Sequence, residues 1–355
     1  MHLDSNKTYA TLDVSDIRFG IEHLPEQVRL AWEDLRDFVL PAPYARVAHV
    51  VLVGMGGSAL GARMLTSIMR DRLKVPVLIV NDYTLPGFVG SKSMVILSSF
   101  SGTTEEVLAA SDTAKASGAK VVVIAAEGEL LKRAKLNHWP AYQFHPGDLA
   151  KQPRLGVGFS LAGVMGILER ARLVKVARAE VDRMCIAMGE VIDACAIDVP
   201  SAENPAKIVA KELQGKAVFV IGAEHLVGSA HVFANHLNET SKQFATPFAL
   251  PEVNHHLLEG LTYPKGFSGK AVALILKSEL YGERIQRRCE VTADLLEQQG
   301  ISVVEYETHG DERLEQAGEV LQFGSFVSYY LAMLNGVRPD SIPFVDEFKA
   351  RLGKK

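Results

Sequence analysis

The sequence predicts an α/β protein built from two open parallel sheets in tandem. Three observations predict this. Short β-branched runs alternate with helical stretches. The runs are apolar at consecutive positions, as parallel strands covered on both faces should be. The whole alternation occurs twice. The first set is VAHVVLVG (47–54), VPVLIV (75–80), SMVIL (93–97) and KVVVIAA (120–126), and the second is KAVFVIGA (216–223), KAVALIL (270–276) and ISVVEYE (301–307). Strand–helix alternation of this kind implies right-handed crossovers within each sheet. VLVGMGGSALGARML and VFVIGAEHLVGSAHVF also share a strand–glycine–helix layout, as an old duplication would leave them.

Around these units the chain is mainly helical. Residues 1–40 form a helical arm, carried by PEQVRLAWEDLRDFVL (25–40). Residues 41–197 make the first unit and 198–355 the second, with mostly helical residues over 160–213 between the two strand sets. DVPSAENPAKIV (198–209) has the Pro, Ser and Asn of a connector, and IPFVDEFKARLGKK (342–355) reads as a short terminal helix.

Bulk properties narrow the class. A chain of 355 residues suggests about two domains. It is 48% hydrophobic and 23% charged, with a net charge of −4. No basic excess points to nucleic acid or to a membrane surface. The apolar run LGVGFSLAGVMGIL (155–168) falls short of the roughly 20 residues a spanning helix needs. Cys185, Cys195 and Cys289 form no C-x-x-C pair and no disulfide framework. With no apolar signal core at the N-terminus, a cytoplasmic protein is expected.

Two strand ends carry the chemistry. After the first strand comes Gly54-Met55-Gly56-Gly57-Ser58, and after the third comes Ser98-Ser99-Phe100-Ser101-Gly102-Thr103-Thr104. In open α/β sheets ligands sit at the carboxyl ends of strands. Glycines let backbone N–H groups approach a ligand, and a helix N-terminus favours negative charge. Neutral hydroxyls complete a cradle suited to a phosphate monoester. A plainer reading makes Thr103 and Glu106 a capping box, which leaves Ser99, Ser101 and Gly102 unexplained. A dinucleotide reading takes G54-x-G56-x-x-A59 with Asp82, but Asp82 falls later than the usual ~20-residue offset, and such a site has no use for the second loop.

These two loops resemble the first half of a pair of sugar isomerase (SIS) domains. With QPRLGVGFSLAG (152–163), HLNETSK (236–242) and LPEVNHH (250–256), in this order, the chain is similar to the bifunctional phosphoglucose/phosphomannose isomerase family over roughly 20–352. The resemblance implies two tandem SIS domains, each a flavodoxin-like three-layer sandwich, and a homodimer that shares a histidine loop across its interface. It implies a sugar phosphate substrate. It places Gly57, Ser58, Ser99, Ser101 and Thr104 at the phosphate, Arg154 near the reacting carbons, Glu239 as the base, His255 at ring opening, and Lys349 on the terminal helix.

The residue types fit that chemistry. Aldose–ketose isomerisation moves one proton between C1 and C2, which a carboxylate can do when burial raises its pKa from about 4.3 toward the working pH. Histidine can serve the ring oxygen near neutrality. Arginine stays charged beside an enediolate. No metal or cofactor is required, and the sequence holds no H-E-x-x-H motif or cysteine cluster. Three departures stand out. His256 and Leu257 occupy an asparagine and a glutamate position of the histidine loop, SGTTEE replaces SGNTEE, and Ser341 in RPDSIP is the nearest stand-in for a threonine. The first places His256 in competition with His255; the third bears on acceptance of mannose phosphate. A non-catalytic sugar-phosphate sensor, or an isomerase of another phosphosugar, would need the same loops.

Overall fold

A computed structural model describes residues 3–353, so Lys354 and Lys355 of the expected terminal helix, and the first two residues of the arm, lie outside it. The arm comprises α1 (Asn6–Leu12), α2 (Ile17–Glu22) and α3 (Leu24–Asp34). The first unit follows as β1 (His49–Val53), α4 (Gly57–Ile68), β2 (Val77–Val80), β3 (Ser93–Ser98), α5 (Glu105–Ala116), β4 (Lys120–Ala125), α6 (Glu129–Leu136), β5 (Ala141–Gln143) and α7 (Val157–Arg170). Then come α8 (Arg178–Cys195), α9 (Pro205–Leu213), β6 (Ala217–Ala223), α10 (Val227–Ser241), β7 (Ala245–Leu250), α11 (Val253–His256), β8 (Ala271–Lys277), α12 (Glu283–Gln298), β9 (Ser302–Glu307), α13 (Arg313–Asn335) and α14 (Pro343–Leu352).

Both sheets are parallel throughout, with orders β2-β1-β3-β4-β5 and β7-β6-β8-β9. The first is the flavodoxin-like order, and the second repeats its first four positions. All seven expected strands are present; β1, β3, β4, β6 and β8 are buried along nearly their whole length, whereas β2 and β9, expected to be covered on both faces, lie at sheet edges and expose part of one or both faces. Two further strands, β5 and β7, have no counterpart in the expected set. Each is an edge strand with half-exposed residues, and β7 contains Pro247, which has no N–H for a ladder and so suits an edge. The expected connector is also shorter than 198–209. Asn204 accepts the Lys207 N–H at 2.9 Å and Pro205 opens α9, so helix begins there.

One face of the first sheet packs on α5 and α6 through Val51, Val95, Val123, Val107 and Leu130. Its other face joins a single core that runs through both units. All but the first two residues of the uncharged run 155–168 lie in α7, buried among α3 and α4. The 23-residue α13 is buried almost all round and packs on α8, α9 and α10. The two similar strand–glycine–helix stretches are the first strand and helix of each sheet, and their helices, α4 and α10, pack on each other.

The arm is fastened to both units. Asp4 accepts from the Ser201 hydroxyl at 2.8 Å and from buried Lys207 at 3.2 Å. Asp13 accepts from the Ile17 N–H at 2.7 Å and from the Tyr329 hydroxyl at 3.0 Å. Buried Gln27 donates to the carbonyls of Leu149 and Leu155 at 2.8 and 2.9 Å, and so supports the turn that carries Arg154. Among the described residues, no helix is long and apolar enough to cross a membrane.

Candidate active site

Strand order decides where a site can form. β1 and β3 are neighbours although β2 separates them in sequence, so the loops that follow them open side by side at the switch point of the sheet. Ser58 joins these loops. Its hydroxyl accepts the Phe100 N–H at 2.9 Å, and its carbonyl receives the hydroxyls of Ser98 at 2.8 Å and Ser160 at 3.3 Å. Within the second loop, the Ser99 and Thr104 hydroxyls lie 2.8 Å apart and those of Ser101 and Thr103 2.9 Å apart. The capping box is not formed. Thr104, not Thr103, is the N-cap of α5, and its side chain makes no capping hydrogen bond. Thr103 belongs with the hydroxyl pair instead. Asp82, the acid of the dinucleotide reading, accepts from the backbone N–H groups of Tyr83 at 2.6 Å and Thr84 at 3.3 Å.

The second loop is held in shape by Gly102. Its φ is +63°, and a Cβ there would stand 1.8 Å from the carbonyl oxygen of Glu127. Gly102→Ala is therefore expected to lower stability by about 3 kcal/mol or more, from left-handed strain and overlap with backbone. Chemical denaturation of the variant measures this, and an unchanged midpoint would contradict the packing. Gly57 serves a different contact. Its added Cβ would lie 2.5 Å from Pro153 carbonyl atoms, so the glycine loop rests directly on the QPR turn.

That turn aims Arg154 inward. The side chain is 2% exposed, and its Nη1 lies 3.7 Å from Oε2 of Glu239, whose side chain is 31% exposed. Nη2 donates to the carbonyls of Pro339 at 2.7 Å and Asp340 at 3.0 Å, while Nε is buried with no partner among the described residues. Burial pulls the guanidinium pKa down, and the charges of Glu239, Asp340 and Asp346 oppose that shift. Gln152 donates to the Asp340 carbonyl at 3.0 Å, and the Asp340 carboxylate is held down to about 2 by the Arg338 guanidinium, with the Ser15 hydroxyl adding to the effect.

Glu239 sits near the end of α10, one turn beyond His236. Complete burial pulls His236 down to about 4, so it is neutral; its Nε2 lies 3.1 Å from the Arg154 carbonyl and its Nδ1 3.3 Å from the Ser325 hydroxyl. The i, i+3 spacing puts His236 and Glu239 on one helix face, a signal present within HLNETSK. His236, Gln152 and Asp340 are members of this site that sequence reasoning passed over.

Seven of the nine expected residues thus belong to one connected region: Gly57, Ser58, Ser99, Ser101 and Thr104 in the two loops, with Arg154 and Glu239 beside them. The other two stand apart. His255 is exposed in α11, and among the described residues no hydrogen bond or ion pair joins it to Arg154 or Glu239. Its neighbour Asn254 donates to Thr292 at 2.8 Å and accepts from Arg288 at 3.0 Å, both on α12. Leu257, one of the departures, is half-buried against the core, and His256 is exposed beside Phe248. Lys349 is exposed on α14, a helix that buries none of its own residues. Ser341 is half-buried immediately after Asp340.

A hollow of about 800 Å³ bordered by Asp34, Asp37, Phe38, Lys135, His138 and Trp139 lies at the opposite, amino ends of the strands, and among the described residues no ion pair joins its acids to its bases.

Two parallel sheets in tandem with a hydroxyl-lined switch point define the class: a double α/β protein with the architecture of paired SIS domains. Residues 202–352 match the family described as the bacterial phospho-glucose isomerase C-terminal SIS domain. The chain is similar to curated bifunctional phosphoglucose/phosphomannose isomerases along nearly its whole length. It is 29% identical to the one from Caldicellulosiruptor bescii, covering 94% of this chain and 98% of that protein. It is 28% identical to the one from Aquifex aeolicus, covering 91% and 94%. Its fold also matches the crystal structure of a hypothetical protein from Thermus thermophilus, with a TM-score of 0.75 at 18% identity over 98% of this chain and 92% of that one.

Proposed function

We propose that this chain is a sugar-phosphate isomerase that interconverts glucose 6-phosphate, and also mannose 6-phosphate, with fructose 6-phosphate. The observation that carries this reading is the Arg154–Glu239 pair, 3.7 Å apart, with Arg154 on a turn packed against the glycine loop and Glu239 on α10. The loops hold the phosphate through neutral hydroxyls and helix N-terminal N–H groups. Glu239 takes the proton from one of C1 and C2 and returns it to the other, while the hydroxyl proton passes to the former carbonyl oxygen. Arg154 faces the cis-enediolate formed between these transfers. Its unpartnered Nε supports this role, because buried N–H groups nearly always have an acceptor. Glucose and mannose 6-phosphates differ only at C2 and give the same enediolate, so one site serves both.

His255 acts on the ring oxygen from a second copy of the chain, in a homodimer. Its exposure at the end of β7, and the anchoring of Asn254 on α12, support presentation outward rather than into its own site. Lys349 on α14 completes the set from the terminal helix. The reaction runs without a metal ion, in the cytoplasm.

The test is incubation of the purified protein with fructose 6-phosphate and EDTA, following both aldose phosphates. Both are expected to form, at a rate unaffected by chelation. Tight binding without turnover would favour a sugar-phosphate sensor, and loss of activity in EDTA would overturn the metal-free mechanism.

A further inference from the structure

The helix that carries Glu239 ends in an unusual way. Lys242 is its C-cap in the left-handed region (φ 55°, ψ 27°), a position that glycine ordinarily fills. The backbone closes the helix by itself: the Gln243 N–H donates to the Leu237 carbonyl at 3.1 Å. Nothing in that closure calls for a lysine. The side chain supplies the reason. Its ammonium donates to three carbonyls: Glu239 at 3.0 Å, Thr240 at 3.1 Å and Arg338 at 2.7 Å. Two of these are at the end of the base-bearing helix. The third begins the 338–340 loop, whose Pro339 and Asp340 carbonyls hold Arg154.

We propose that Lys242 is a positioning residue that ties the end of the Glu239 helix to the 338–340 loop that holds the Arg154 guanidinium, and so sets the separation of base and cation. The catalytic part of this inference rests on the isomerase reading above; the tether itself does not. An ammonium has three donors, and all three are used, so Lys242 holds geometry rather than exchanging protons with substrate. A neutral amine has two donors and a lone pair, which would point at one of the three carbonyl oxygens. The tether is therefore a property of the charged form.

The groups facing Lys242 are Arg154 on the QPR turn, Arg338 and Asp340 on the loop, and Glu239 on its own helix. Lys242 is an exposed residue, but partial burial of its ammonium against these carbonyls and, after it, the Arg154 charge pull it down to about 8, against the charges of Asp340 and Glu239. The arginines do not titrate in this range. As pH rises through about 8, the folded protein loses this proton before the unfolded chain does. The unfolded state then binds more protons, so this group makes global stability rise slightly, not fall, up to its ordinary pKa near 10.5. Falling turnover with undiminished stability is the signature of a positioning role.

The experiment compares wild type, Lys242→Met and Lys242→Arg. In Lys242→Met, kcat is expected to drop about 10- to 100-fold, as for a reacting group displaced by a fraction of an ångström, with KM changed less than about 3-fold. The alkaline fall in kcat near pH 8 should be lost in that variant. Lys242→Arg, charged throughout, should restore most of kcat and carry it to higher pH. Hydrogen exchange reads the tether without substrate: residues 338–342 should exchange faster in Lys242→Met than in wild type. Unchanged exchange there overturns the tether whatever the activity. Faster exchange with wild-type kcat and an unaltered pH profile overturns the catalytic part. Faster exchange in a protein with no isomerase activity supports the tether and counts against the isomerase reading alone.

Discussion

Glu239→Gln is expected to lower isomerase turnover about 10²- to 10⁴-fold, the usual contribution of a positioned general base. The change is nearly isosteric. Glutamine can still sit 3.7 Å from Arg154, but it cannot accept and return a proton. The carboxylate contributes little to the fold, because its side chain is 31% exposed and its ion pair with Arg154 is longer than a hydrogen bond. The melting temperature should therefore stay close to wild type, and KM should change far less than kcat. Steady-state kinetics with fructose 6-phosphate and thermal unfolding measure both. Wild-type turnover in the variant would remove Glu239 from the mechanism and leave the phosphate loops without an identified base.

Arg154→Met should affect both activity and stability. At 2% exposure the guanidinium is a structural member as well as the cation facing Glu239. Its two hydrogen bonds to the Pro339 and Asp340 carbonyls hold the loop before α14. Hydrogen bonds to a charged donor contribute about 1.5–3 kcal/mol each, so a stability loss of about 3 kcal/mol is expected. In the reaction, loss of a charge-stabilising donor typically costs about 10²–10³-fold in kcat. Arg154→Lys separates the two roles. A lysine keeps the charge but not the planar fork, so it should recover part of the stability and little of the turnover. Denaturation and kinetics on the pair of variants are decisive. If Arg154→Met melts normally and turns over normally, both roles assigned to the residue are wrong.

Much of the fold was legible because the signals were local. The central strands announced themselves as apolar runs, since both faces of a parallel strand are covered. β5 and β7 carry no such mark. They are edge strands with exposed positions, and Pro247 weighs against any strand reading of ATPFAL. The assignment of Thr103 to a capping box failed for a different reason. The motif was present, but the hydroxyls of 99–104 found one another instead of the helix N–H groups.

For the site, residue chemistry and the family resemblance named the loops, the arginine and the glutamate. The groups that hold them were not readable. His236 meets a carbonyl 82 positions away, and Gln152 one 188 positions away. Such partners have no spacing pattern to follow.

The order of residues along the chain settled which segments are the central strands, where the glycines and hydroxyls fall, and that a glutamate and an arginine are available to a site. Folding settled which of them meet. The β1–β3 adjacency set two distant loops side by side, and the packing of α10 against α4 and α13 brought Glu239 to Arg154. It left His255 and Lys349 on the surface of a single chain. The physical reason is that side-chain chemistry and backbone preference act over a few residues, whereas strand order and helix packing are decided by burial across the whole molecule.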